Sequence, residues 1–134
     1  MSATGSYNQA QKPIGSIAPT VLVVEDQVVL RLFVSEMIEQ AGYTVLLAED
    51  ADEALSVMER NPEIRLVFSD FEMPSLMSGL DLGHHLSRLR PDIGFVLTSG
   101  LKMREQLPLP PNSLFLPKPF LESDVCEALR KLVH

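Results

Sequence analysis

A single cysteine, Cys126, serves all 134 residues, so no internal disulfide can form and the chain suits a reducing, cytoplasmic compartment. No apolar stretch approaches the roughly 18 residues that span a bilayer. The N-terminus has neither the basic leader nor the apolar segment of a secretory signal, so membrane insertion and export are not expected. Basic charge is scarce too: 11 Lys and Arg stand against 18 Asp and Glu, a net charge of −7. Nucleic-acid binding depends on neutralising phosphates with cations, so that class of partner is not expected either. Internal repeats and low-complexity arrays are absent. What remains is 46% hydrophobic and 22% charged residues, ordinary for a soluble globular protein, at a length that suits one domain with one core.

Residues 1–19 differ from the rest. They are rich in Ser, Gly, Ala, Gln and Pro and lack apolar periodicity, which predicts a flexible tail ahead of a domain over 20–134. From Thr20 the chain alternates. Val21 to Val24 is a short, unbroken, β-branched run, as in a strand buried on both faces. Val29, Phe33, Met37 and Ala41 recur every fourth residue, predicting a helix whose inward stripe they form and which Gly42 ends. Thr44 to Ala48 reads as a strand. Asp50 and Glu53 then have capping-box spacing for a helix through Arg60, ahead of Pro62.

Arg65 to Ser69 reads as the third strand. Ser78 and Asp81 repeat the capping signal for a helix to Leu89, with Pro91 beyond. Ile93 to Thr98 and Ser113 to Leu116 read as the fourth and fifth strands, and Leu121 to Val133 as a last helix burying Val125, Leu129 and Leu132. The fold class is therefore α/β: a doubly wound, five-stranded parallel sheet with right-handed crossovers and helices on both faces. Such a sheet commonly takes the flavodoxin-like order 2-1-3-4-5, with its ligand crevice at the carboxyl ends of the strands.

Three apolar runs end in chemistry. The first closes on Glu25-Asp26, the third on Asp70, and the fifth on Pro117-Lys118-Pro119. In a parallel sheet those ends share one edge, which brings three carboxylates and one ammonium together. Two like charges about 4 Å apart repel by roughly 4 kcal/mol at an effective dielectric of 20, so such a cluster raises its own pKa values or recruits a cation. Oxygen ligands without His or Cys favour Mg²⁺, with Mn²⁺ as a substitute. A carboxylate beside that ion is a competent nucleophile toward phosphorus.

These residues resemble the receiver domain of two-component response regulators over about Thr20 to Val133. The resemblance rests on Glu25-Asp26, on Asp70 with Met73-Pro74, on Ser99-Gly100, and on Phe115 with Lys118-Pro119. It implies that Asp70 is the phosphoacceptor. Asp26 would bind Mg²⁺ directly, Glu25 through water or by orientation, and the Glu72 backbone carbonyl would complete the site. Lys118 would pair with a phosphoryl oxygen, and its peptide bond to Pro119 would be cis. The switch hydroxyl is Thr98 or Ser99; Ser99 is favoured because Gly100 follows it. Phe115 occupies the place of the family's mobile aromatic. The donor implied is a sensor histidine kinase or a histidine phosphotransfer protein.

Two departures from the family pattern stand out. The loop between Pro74 and Gly79 is one residue longer than the commonest form. Pro108, Pro110 and Pro111 also limit the fourth helix to about Leu101–Leu107, short or irregular. The last helix ends with the chain, so a stand-alone receiver is expected, signalling through a protein contact or a relay. It would have no enzymatic activity beyond self-catalysed phosphotransfer to Asp70 and slow loss of that group. The rival readings are a Mg²⁺-dependent phosphatase of the haloacid dehalogenase type, a flavodoxin-like flavin carrier and a binding-only receiver. The first needs an Asp-x-Asp after strand one, whereas Asp70-Phe71-Glu72 follows strand three. In the second, Glu25-Asp26 would repel the flavin phosphate. The third needs a lost acceptor. His84 and His85 point to different helix faces and suit a solvated or partly packed pair, and Cys126 suits a small buried hydrophobe.

Overall fold

The computed structural model describes residues 18–100 and 107–133. Five parallel strands, β1 (Thr20–Val24), β2 (Thr44–Ala48), β3 (Ile64–Asp70), β4 (Gly94–Ser99) and β5 (Ser113–Pro117), form one sheet in the order β2-β1-β3-β4-β5. Four helices occur among the described residues: α1 (Val28–Gln40), α2 (Ala51–Arg60), α3 (Gly79–Leu89) and α4 (Glu122–Leu132). This is the expected doubly wound α/β architecture, with strand bounds within a residue of those read from the sequence.

Strand alternation divides the core. Leu22, Val24, Val67 and Leu97 face α2 and α3, while Val21, Val23, Leu66, Phe68 and Val96 face α1 and α4. β1 and β4 are buried along their whole length, whereas the edge strand β2 is largely half-buried or exposed. Both Asp50 and Ser78 cap their helices, and Ser78 closes the full capping box. Asp50 accepts from the Glu53 N–H at 2.8 Å while Glu53 accepts from the Glu49 N–H at 2.7 Å. Ser78 and Asp81 satisfy each other's backbone N–H at 3.1 and 3.2 Å. In α4, Val125, Leu129 and Leu132 are buried as expected.

The inward face of α1 differs from the sequence reading. Of Val29, Phe33, Met37 and Ala41, only Met37 is buried; Val29 is 82% and Phe33 56% exposed. The inward residues are Val34, Met37 and Ile38, with Leu30 half-buried beside them. A strict four-residue step overshoots the 3.6-residue turn by about 40° each time and drifts off the buried stripe. Val28 and Leu32 are exposed as well, so apolar residues occupy both sides of this helix and blur its pattern.

Of the tail expected over residues 1–19, only 18 and 19 are described. The Pro19 carbonyl accepts from the Thr44 N–H at 2.9 Å, so the chain is fixed to β2 at that point. Of the fourth helix expected over Leu101–Leu107, all but Leu107 lies outside the described residues. Residues 107–112 are neither helix nor strand. Two side chains hold them: His84 bonds to the Pro108 carbonyl at 2.5 Å, and the Asn112 amide donates to the Ile93 carbonyl at 3.1 Å. Asn112 has φ 60, a conformation asparagine tolerates, where the chain turns into β5.

Candidate functional site

The register of the central strands aligns their carboxyl ends. Val24 lies opposite Ser69, Asp70 opposite Thr98, and Ser99 opposite Pro117. Glu25 and Asp26 follow β1 directly. The Glu25 N–H donates to the Ala48 carbonyl at 3.0 Å, and its carbonyl accepts from Arg31 Nη1 at 2.8 Å. Its side chain accepts from the Gln27 N–H at 3.1 Å. Backbone and side chain are thus both held before any ligand arrives.

Glu25, Asp26 and Asp70 offer carboxylate oxygens that lie within 4.8 Å of one another. Lys118 Nζ stands 3.1 Å from Asp70 Oδ1 and 3.8 Å from Glu25 Oε1. Glu25 and Asp70 are buried and Asp26 is exposed, so the cluster opens to solvent on one side. One ammonium does not balance three carboxylates. Burial, reinforced by the Asp70 charge, pushes Glu25 up to about 7, against the lowering pull of the Gln27 N–H and of Lys118. Asp70 is likewise raised, by burial first, with Lys118 opposing and Glu72 adding to the rise.

A hard divalent cation fits this donor set. All ligand atoms are carboxylate oxygens, and the buried Asp70 Oδ1 receives no well-directed hydrogen bond, its contact with Lys118 being a charge pairing. An additional cation would relieve both the repulsion and the unmet acceptor.

The lysine is anchored independently of its charge. Its N–H donates to the Ser99 carbonyl at 2.9 Å; the peptide bond that follows, Lys118–Pro119, is cis. Phe120 then packs edge-on against Phe68, ring centres 5.8 Å apart, two residues before Asp70. On the other side the loop after Asp70 closes tightly. The Phe71 N–H donates to the Thr98 carbonyl at 2.8 Å and the Gly79 N–H to the Phe71 carbonyl at 2.9 Å. A Cβ on Gly79 would sit 2.0 Å from the Asp70 carbonyl oxygen, so only glycine lets α3 start there. The longer loop carries Leu76 fully into solvent.

Glu25, Asp26, Asp70 and Lys118 are therefore gathered at one point. Ser99 and Thr98 are both buried at the end of β4, and it is the Ser99 hydroxyl that reaches the loop after Asp70, donating to Glu72 Oε2 at 2.6 Å. The family resemblance assigns Glu72 only its carbonyl, and no residue spacing signals this side-chain contact. Phe115 is half-buried opposite Leu97, among the residues facing α2 and α3. Cys126 is half-buried where a buried residue was expected, and burial pushes its thiol up, away from reactive thiolate. His84 and His85 are both half-buried, and His84 is engaged with Pro108.

Known proteins resemble this chain in sequence and in fold. The family model described as the response regulator receiver domain matches residues 21–130. The sensor kinase CckA of Brucella abortus is 35% identical over 119 residues, 86% of this chain and 12% of the kinase. The chemotaxis protein CheY of Thermotoga maritima is 29% identical over 118 residues, 84% of this chain and 95% of that protein. A CheY-like receiver structure from Methanospirillum hungatei superposes with a TM-score of 0.77 at 26% identity, covering 87% of this chain and 94% of that one. The chain spans only 10–25% of several longer relatives, among them sensor kinases and a transcriptional regulator. No helix among the described residues is long and apolar enough to cross a membrane.

Proposed function

The chain belongs to the response regulator receiver family of two-component signalling, and from that premise we propose that it is a phosphoacceptor switch with Asp70 as the acceptor. The observation that carries this reading is the pairing of Lys118 with Asp70 at 3.1 Å inside a cluster of three carboxylates. In the reaction an Asp70 carboxylate oxygen attacks phosphorus in line with the phosphoryl–imidazole bond of a phosphohistidine. The N–P bond breaks as the O–P bond forms, and the freed imidazole leaves. Lys118, whose backbone N–H is held by the Ser99 carbonyl and whose ammonium already faces Asp70, meets the growing charge on the phosphoryl oxygens.

Glu25, Asp26, Asp70 and the Glu72 carbonyl would hold Mg²⁺, which when bound supplies charge neutralisation for the carboxylates and the incoming phosphoryl group. Ser99 serves as the switch hydroxyl and Phe115 as the aromatic that responds on the neighbouring strand. A sensor histidine kinase or histidine phosphotransfer protein is the donor; the likeness to a sensor kinase, and to the receiver domain of a hybrid histidine kinase, supports this class. Output is a protein contact or a further relay, in the cytoplasm. Incubation with acetyl phosphate and Mg²⁺ followed by intact mass measurement tests the acceptor chemistry. Addition of one phosphoryl mass is expected; its absence, or turnover of general phosphate esters, would point to the binding-only or phosphatase reading.

A further inference from the structure

Glu72 follows the acceptor by two residues on an exposed loop, yet its carboxylate is turned inward onto a buried hydroxyl. Ser99 Oγ donates to Glu72 Oε2 at 2.6 Å, the short distance of a charge-assisted bond. A hydroxyl has one proton to donate. While that proton is engaged with Glu72, it is not offered to an oxygen bound at Asp70. The Ser99 backbone, meanwhile, is fixed to Lys118 through the 2.9 Å N–H bond to its carbonyl. The side chain is therefore the part of Ser99 that can change partner.

We propose that the Glu72 side chain is a latch: a positioning residue that holds the Ser99 hydroxyl in its resting partnership and sets how readily the switch engages. The inference rests on the phosphoacceptor reading and adds a regulator to that site. A phosphoryl group on Asp70 acts on the latch in two ways that reinforce each other. Its oxygens compete for the Ser99 proton, and its negative charge repels the Glu72 carboxylate only two residues away. Both favour release, so the resting and engaged arrangements form two discrete states whose balance Glu72 biases.

Glu72→Gln and Glu72→Ala separate the latch from simple electrostatics, because both remove the charge near Asp70 and only Gln keeps an oxygen that can accept from Ser99. The measurement is the rate of phosphoryl uptake from acetyl phosphate at fixed Mg²⁺, followed by intact mass. Acetyl phosphate transfers its phosphoryl group to an Asp70 oxygen and leaves as acetate. E72A should label faster than E72Q by roughly tenfold, the scale of one hydrogen bond, with the wild type slowest. In a Ser99→Ala background the difference between E72A and E72Q should vanish, as the hydroxyl they compete over is gone. Equal rates for E72A and E72Q, or a difference that persists with S99A, would overturn the latch while leaving the acceptor reading intact. No labelling of the wild type would overturn the acceptor reading and the latch with it.

Discussion

The N–H of Lys118 donates to the carbonyl of Ser99, so the ammonium that faces Asp70 and the hydroxyl that faces Glu72 are tied together at the ends of β5 and β4. The ammonium and the hydroxyl thus share one backbone contact.

Lys118 is the only cation paired with the cluster among the described residues. Lys118→Met should destabilise the metal-free protein by roughly 2 kcal/mol, below the approximately 3–5 kcal/mol of a fully buried pair, because the lysine side chain is 24% exposed. Denaturant unfolding at neutral pH measures this, and phosphoryl uptake should fall in parallel. Unchanged stability would mean that solvent already compensates the two buried carboxylates.

Glu25 gives the metal-free protein a pH dependence of definite sign. Its folded value of about 7 lies above its ordinary 4.5, so the folded state binds the proton more tightly. Its contribution is full below about pH 4.5 and is lost as pH rises through about 7. The melting temperature in chelator should fall across that window, and Glu25→Gln should flatten the fall. Mg²⁺ should oppose it by binding the ionised carboxylates, adding RT ln(1 + [L]/Kd). A melting temperature indifferent to millimolar-range Mg²⁺ at neutral pH would count against a metal site.

Gly79 is the most tightly packed glycine beside Asp70. Gly79→Ala forces a Cβ against the Asp70 carbonyl and the Phe71 Cα, both backbone atoms with no rotamer to yield. The expected cost is about 1–3 kcal/mol, read as a lower melting temperature, with slower labelling of Asp70 as β3 and α3 part. Wild-type stability in this variant would show that the loop absorbs the contact.

The two hydroxyls of β4 should separate. Ser99→Ala should still accept a phosphoryl group, since Asp70, Lys118 and the acidic cluster remain, but the response at Phe115 should be lost. Hydrogen exchange across β5 and residues 107–112, with and without acetyl phosphate, reads that response. If Thr98→Ala abolishes it and Ser99→Ala does not, the switch hydroxyl is Thr98.

Much of this site was legible because each part sits where an apolar run stops. Val21 to Val24 ending in Glu25-Asp26, and Leu66 to Ser69 ending in Asp70, place acids at one edge once the strands are parallel. The caps at Asp50 and Ser78 were equally local, and both formed. The face of α1 was illegible for a physical reason: Val28, Val29, Leu32 and Phe33 put apolar residues on the solvent side, so periodicity alone could not choose the buried stripe. The Glu72 side-chain contact and the fit of Gly79 depend on how the loop after β3 folds back, which no residue spacing encodes.

The central claim is that Asp70 is the acceptor, and an intact mass after incubation with acetyl phosphate and Mg²⁺ tests it most directly. The wild type should gain one phosphoryl mass, Asp26→Asn should gain less, and Asp70→Asn should gain none. Undiminished labelling of the Asp70→Asn protein would contradict the account.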